Sequence, residues 1–224
     1  MAIDSGTATT KHVRGMVPDN WVEDPAVAKG RRRVLEERGE IQTGKILSER
    51  FHLLIKHPAE FTALAEPLSA RFPLYALVRH PLAVLASWQT IDMPVQGGRM
   101  PMMEAFSPEL SARLDKIPDR LARQVALMGF LLKEYAKLPS DRIKRYEDVV
   151  ADPAGTLACF TPHTGALRHP LRPYDPVERY KMVDWPALAL ALVPLTPLAT
   201  LFYPDFAASL SSCLSQAGLP LPQS

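Results

Sequence analysis

Cysteine is scarce in this chain: Cys159 and Cys213 are the two thiols among 224 residues. Two cysteines cannot build a disulfide framework, and theirs have no metal-ligand spacing. They read as buried free thiols in a reducing compartment. Net charge is nearly absent too, with 26 Lys and Arg against 24 Asp and Glu. That balance gives no reason to expect nucleic acid or an anionic membrane surface as a partner. No stretch approaches the ~18 apolar residues of a membrane span. The opening residues, Met1 to Thr7, lack the basic and apolar parts of a signal peptide. These absences point to a cytoplasmic protein. The phosphate-loop pattern Gly-x-x-x-x-Gly-Lys-Ser/Thr is missing, which sets aside a nucleotide or sugar kinase. No internal repeat is visible.

Proline, by contrast, is abundant: 22 residues, about twice the usual ~5%. Prolines are dense from Pro153 onward, so short interrupted elements are expected there. Apolar content of 47% and charged content of 22% belong to a globular protein. The length suits one domain over 1–224, with a motif-bearing core over 51–152 and a proline-rich helical part over 161–224.

The most organised stretch runs from Phe72 to Ile91. Leu74 to Val78 is a continuous apolar run, which fits a strand buried on both faces. Arg79 and His80 interrupt it, and Pro81 suits the first turn of a helix. Val84, Trp88 and Ile91 then recur at helical spacing. A charged Arg therefore sits at the carboxyl end of a strand, where ligands bind in open α/β sheets, beside a helix start that favours an anion. Ser87 lies two turns into the helix, roughly 10 Å along its axis. A guanidinium fork and a hydroxyl donor together suit phosphate oxygens. The same two residues also fit a surface ion pair and an ordinary helix serine.

A second unit of this kind precedes it. Phe51 to Lys56 reads as a strand ending in Lys56 and His57, and Pro58 opens a helix with Phe61, Leu64, Ala65 and Leu68 on its apolar face. Pro67 should kink or shorten that helix. Strand, helix and the strand at Leu74 would form a βαβ crossover in a parallel sheet. Arg142 to Glu147 reads as a third strand.

Three segments carry a family resemblance. Val78-Arg-His-Pro-Leu-Ala-Val-Leu-Ala-Ser87 resembles the 3′-phosphate-binding segment of sulfotransferases that use 3′-phosphoadenosine 5′-phosphosulfate, with its Arg at the strand end and its Ser eight positions on. Leu53-Leu-Ile-Lys-His-Pro58 resembles the strand bearing the catalytic Lys or His, and Arg145-Tyr-Glu-Asp-Val149 the segment near the adenine. The resemblance implies an α/β domain with a small parallel sheet flanked by helices. It implies transfer of a sulfuryl group from 3′-phosphoadenosine 5′-phosphosulfate to a hydroxyl or amine of a small-molecule acceptor, without a metal. Arg79 and Ser87 would hold the 3′-phosphate, Tyr146 the adenine side, and Lys56 the transferring group, with His57 as candidate base. The family has Lys-x-His where this chain has adjacent residues, and adjacent residues in a strand point to opposite faces. Ser5-Gly6-Thr7 matches part of the family's phosphosulfate loop, but Asp4 stands where a Lys or Arg belongs. The N-terminal strand-loop unit is thus expected to be missing, and the alternative is a weakened, sulfotransferase-like nucleotide-binding or interaction module.

Elsewhere, Val27 to Arg38 reads as a solvated, mixed-charge helix face. Met93 to Ser107 reads as a loop long enough to be an acceptor-site flap. Leu121, Val125, Met128, Leu132 and Tyr135 form the core stripe of the longest helix, with Arg120, Arg123 and Lys133 on its solvated side. Asp152 and Pro153 should cap a helix, Trp185 to Val193 should form a packed one, and Gly218 should end the last.

Overall fold

The computed structural model describes residues 7–12, 31–32, 37–42, 53–166, 171, 173 and 175–218. Asp4, Ser5, Gly6, Trp21, Phe51, Arg168 and Arg172 lie outside them. The chain divides into two compact units, Met1–Ile55 with Thr90–Met93, and Lys56–Gln89 with Pro94–Ser224. In the first, strands β1 (Thr7–His12) and β2 (Glu37–Gln42) pair antiparallel, from Thr7 opposite Gln42 to His12 opposite Glu37. Arg32 makes a parallel bridge to Ile91. Its backbone N–H donates to the Thr90 carbonyl at 2.8 Å, and its carbonyl accepts from the Asp92 N–H at 2.8 Å. Its Nε donates to Thr90 Oγ1 at 3.1 Å. The expected solvated helix is therefore corrected here: Arg32 is buried, and hydrogen bonds of this kind make burial of a guanidinium tolerable.

In the second unit, proline and aspartate set the helix starts. Helix α1 (Pro58–Ala63) has Pro at its first position, breaks at Leu64, and resumes as α2 (Ala65–Ser69) around Pro67. Strand β3 (Ala76–Val78) leads to α3 (Pro81–Gln89). A 3₁₀ turn at Pro94–Gly97 precedes α4 (Pro101–Glu104) and α5 (Pro108–Asp115). The longest helix, α6 (Arg120–Tyr135), is capped by Asp119, whose carboxylate accepts from the Ala122 N–H at 2.7 Å. Strand β4 (Ile143–Arg145) runs into α7 (Tyr146–Ala151), and Asp152 caps α8 (Pro153–Thr156) through the Gly155 N–H at 3.0 Å. Then come α9 (Pro176–Arg179), α10 (Trp185–Leu192) capped by Asp184, α11 (Thr196–Ala199) and α12 (Phe206–Gln216). Gly218 follows α12 with φ of 72°, the left-handed conformation glycine supplies at a helix end. Among the described residues, no helix is long and apolar enough to cross a membrane.

The expected α/β architecture is overturned. Among the described residues of this unit, β3 and β4 make a two-stranded parallel sheet, with Ala76, Leu77 and Val78 opposite Ile143, Lys144 and Arg145. The rest of the unit's regular structure is helical. A strand at the centre of a parallel sheet is covered on both faces, but Leu77 is 53% exposed. The expected strand before α1 does not form: residues 53–57 are irregular and exposed, with Leu54 at 67%. An apolar run this short does not by itself distinguish a strand from other structure, and among the described residues it has no pairing partner to make it one. The third expected strand is shorter than read, because Tyr146 already begins α7.

The core gathers on α6. Met128 and Leu132 of the expected stripe are buried, and so are Gln124, Ala126, Leu127, Gly129 and Leu131 on other faces, so the helix is enclosed more widely than the single expected stripe. Helix α10 packs on α3, α6 and α12, burying Leu85, Leu192, Phe206, Leu210 and Leu214. The expected flap is instead pinned down. Gln124 Nε2 donates to the Val95 and Gln96 carbonyls at 3.0 and 2.9 Å. Arg123, read as solvated, donates to the carbonyls of Gly97, Ile117 and Pro118 at 2.9, 2.8 and 2.9 Å. Arg99 pairs with Glu104 and Asp115, closing the segment against α5.

Candidate functional site

Because β3 and β4 run parallel with Val78 opposite Arg145, the residues following each strand emerge at one edge. Arg79 and His80 leave β3, and Tyr146 and Glu147 leave β4. The Arg79 guanidinium lies 5.1 Å from the centre of the Tyr146 ring, a cation–π contact that holds its orientation. Glu147 ties the corner together. One of its oxygens accepts from the His80 backbone N–H at 3.2 Å and the other from the Tyr203 hydroxyl at 2.8 Å.

The His80 ring sits against Tyr203 and Phe206, with centroids 5.0 and 5.2 Å away. Burial lowers its pKa from the ordinary histidine value, outweighing the opposite pull of Glu147 and Asp205, so the ring is neutral near pH 7. Its Nε2 is buried and makes no hydrogen bond. Burial, then the Glu147 bond, pushes the Tyr203 hydroxyl well above the usual tyrosine range, and it stays a donor. Beside it, Arg145 grips Asp148 through two hydrogen bonds of 2.8 and 2.6 Å.

This corner forms one wall of a cleft of about 650 Å³, within the range of small-molecule sites. Leu82 and Ala83 of α3 and Val150 of α7 continue that wall. The rest of the lining comes from Pro176 and Val177 of α9, Trp185 and Pro186 of α10, and the α12 residues Ser209, Ser212, Cys213 and Gln216. Trp185 Nε1 is a second buried group with no hydrogen-bond partner. Burial, reinforced by Asp184, raises the Cys213 thiol pKa, which keeps it protonated and weakly reactive.

Of the residues singled out from the sequence, Arg79 and Tyr146 meet in this cleft. Ser87 is half-buried on α3 and does not line it. Lys56 and His57 are exposed just before α1, where His57 Nδ1 contacts Glu60 at 3.2 Å, and they do not line it either. Sequence reading passed over His80, Glu147, Trp185 and the α12 residues. The available signal was in α12: Phe206, Leu210 and Leu214 recur at helical spacing, and so, on another face, do Ser209, Ser212, Cys213 and Gln216.

The sulfotransferase assignment is corrected by this geometry. Binding 3′-phosphoadenosine 5′-phosphosulfate in the manner of that family needs a broad parallel sheet to carry the donor along its carboxyl edge. The described residues offer a pair of three-residue strands and a mostly helical surround. The fold resemblance, the enzyme activity, the nucleotide-binding reading and the donor itself fall with the sheet. Among the described residues no group of His, Cys, Asp or Glu side chains is arranged to hold a metal ion. Compared with known proteins, the chain matches no family model, no curated protein and no solved structure.

Proposed function

We propose that the second unit is a binding module for a small organic anion with an apolar body. The observation that carries this reading is the cleft itself: largely apolar walls, with an oriented cation, Arg79, at the corner where both strands end. Leu82, Ala83, Val150, Val177 and Pro186 would shed water onto the body of such a ligand, and each buried methylene contributes ~0.8 kcal/mol. The guanidinium suits a planar, two-oxygen anion. Tyr146 acts as its platform. The Glu147 carboxylate at the same corner is engaged by the Tyr203 hydroxyl and the His80 backbone N–H, and the protonated Cys213 gives the cleft no ready nucleophile. Cys159 is exposed and Cys213 half-buried, so neither is the buried thiol expected, but both are free, which supports placing the chain in a reducing compartment, the cytoplasm.

The test is calorimetric titration with decanoate and with decanol, using the wild type and Arg79→Gln. Loss of a charge-assisted contact of ~1.5–3 kcal/mol should weaken decanoate roughly tenfold to hundredfold and leave decanol unchanged. Shortening the acid by one methylene should cost about fourfold. Equal decanoate affinity in both proteins would overturn the reading.

A further inference from the structure

One stretch of the otherwise apolar cleft lining is polar. Helix α12 sends Phe206, Leu210 and Leu214 into the core. The residues it turns toward the cleft are Ser209, Ser212, Cys213 and Gln216. Their spacing of three, one and three places them along one face of the helix, a rail roughly 10 Å long. Ser209 Oγ already donates to the Asp205 carbonyl at 3.2 Å, which leaves its lone pairs to accept. Ser212 and Gln216 are exposed, and between them offer donors and acceptors. At the start of α10, which packs on α12, the Trp185 N–H is buried without a partner. A purely apolar ligand laid along this face would desolvate Ser212 and Gln216 without pairing them and would leave the Trp185 N–H unpaired, at a loss of affinity.

Resting on the anion-binding reading above, we propose that the ligand is bipolar: an anionic group at Arg79, and at its far end a neutral hydroxyl or amide that hydrogen-bonds to Ser212 and Gln216 on α12. A site that hydrogen-bonds a hydroxyl discriminates strongly against the analogue lacking it, whereas an apolar pocket does the reverse or is indifferent. The Trp185 N–H joins the pairing once the ligand parts the side chains that cover it. The thiol of Cys213, protonated because of its burial, is a weak donor within the same rail.

The experiment compares decanoate, ω-hydroxydecanoate and uncharged decanediol, titrated into the wild type and into a Ser212→Ala, Gln216→Leu double variant. Both substituted positions are exposed, so the core of α12 is untouched, and far-UV circular dichroism checks that the helix content is retained. The hydroxy acid should bind the wild type at least as tightly as decanoate. The double variant should weaken the hydroxy acid and the diol about tenfold and leave decanoate within about twofold. Decanoate binding with a tenfold weaker hydroxy acid in the wild type overturns the α12 proposal and leaves the Arg79 reading standing. A diol that binds and responds to the double variant, alongside decanoate that does not bind, keeps the α12 rail and removes the anion. Failure of all three probes overturns both.

Discussion

Replacing Glu147 by alanine takes the acceptor from two donors at once. The Tyr203 hydroxyl, on a side chain that is 4% exposed, loses its partner at 2.8 Å, and the His80 backbone N–H loses its own at 3.2 Å. Orphaning a buried donor costs ~1–3 kcal/mol. Glu147 itself is exposed, so solvent screens its charge and the lower part of that range applies to the Tyr203 bond; the His80 N–H bond is solvent-exposed and adds only about 0.5 kcal/mol. A total of about 1.5–2.5 kcal/mol follows for Glu147→Ala. Tyr203→Phe, which removes donor and need together, should cost only about 1–1.5 kcal/mol. The two losses share one hydrogen bond, so the double variant should fall short of their sum by about 1 kcal/mol. Glu147→Gln keeps an acceptor but not the charge, and should lie between wild type and alanine. Urea unfolding followed by far-UV circular dichroism reads these values; with a slope of ~2 kcal/mol/M, Glu147→Ala shifts the midpoint down by about 1 M. Strict additivity of the two single substitutions would refute the claim that Glu147 and Tyr203 form one joint.

Two other outcomes follow from the same coordinates. The pKa of His80 is lowered by burial, so the unfolded chain binds its proton first; stability from this group is full above the ordinary value of about 6.5 and is lost as pH falls below it, by at most ~1.4 kcal/mol per pH unit. His80→Gln should flatten the stability profile between about pH 5 and 6.5, and an unchanged slope would show that another group titrates there. Gly98 has φ of 74°, and a Cβ placed on it would meet Arg123 Cβ at 2.6 Å and the Gln124 N at 2.9 Å. Gly98→Ala should therefore cost more than the ~1 kcal/mol of a left-handed alanine alone, seen as a lower unfolding midpoint, whereas Gly97→Ala, with no atom within 4 Å, should be close to neutral.

What the sequence disclosed was mostly punctuation. Pro58, Pro67, Pro81, Asp152 with Pro153, and Gly218 each begin, break or end an element as read, because their effects are fixed by φ, a missing N–H or a local cap. The strands were less legible. Leu53-Leu54-Ile55 has strand composition but, among the described residues, no neighbour to pair with, and composition cannot report a neighbour. The Leu74–Val78 run was read as doubly buried, yet Leu77 faces out, since burial depends on what lies above the sheet. Arg123 looked like solvated surface because its carbonyl partner at Gly97 is 26 residues away. The site divides in the same way. Arg79 and Tyr146 stood out as motif residues, while the contacts of His80 with Tyr203 and Phe206 join distant parts of the chain with no shared period.

That division has a consequence in time. The strand-edge wall ends at Val150, and the rest of the lining is supplied by residues from Pro173 to Ala217. During synthesis at ~5–20 residues per second, Ser209 appears about 130 residues after Arg79, roughly 6–26 s later. Over that interval Leu82 and Ala83, joined later by Val150, lack the α12 part of the lining, and the nascent chain carries an open apolar face next to a cation. The ligand proposed above would find its site incomplete until α12 is made, and exposed apolar surface of this kind makes the half-made form the one prone to aggregate.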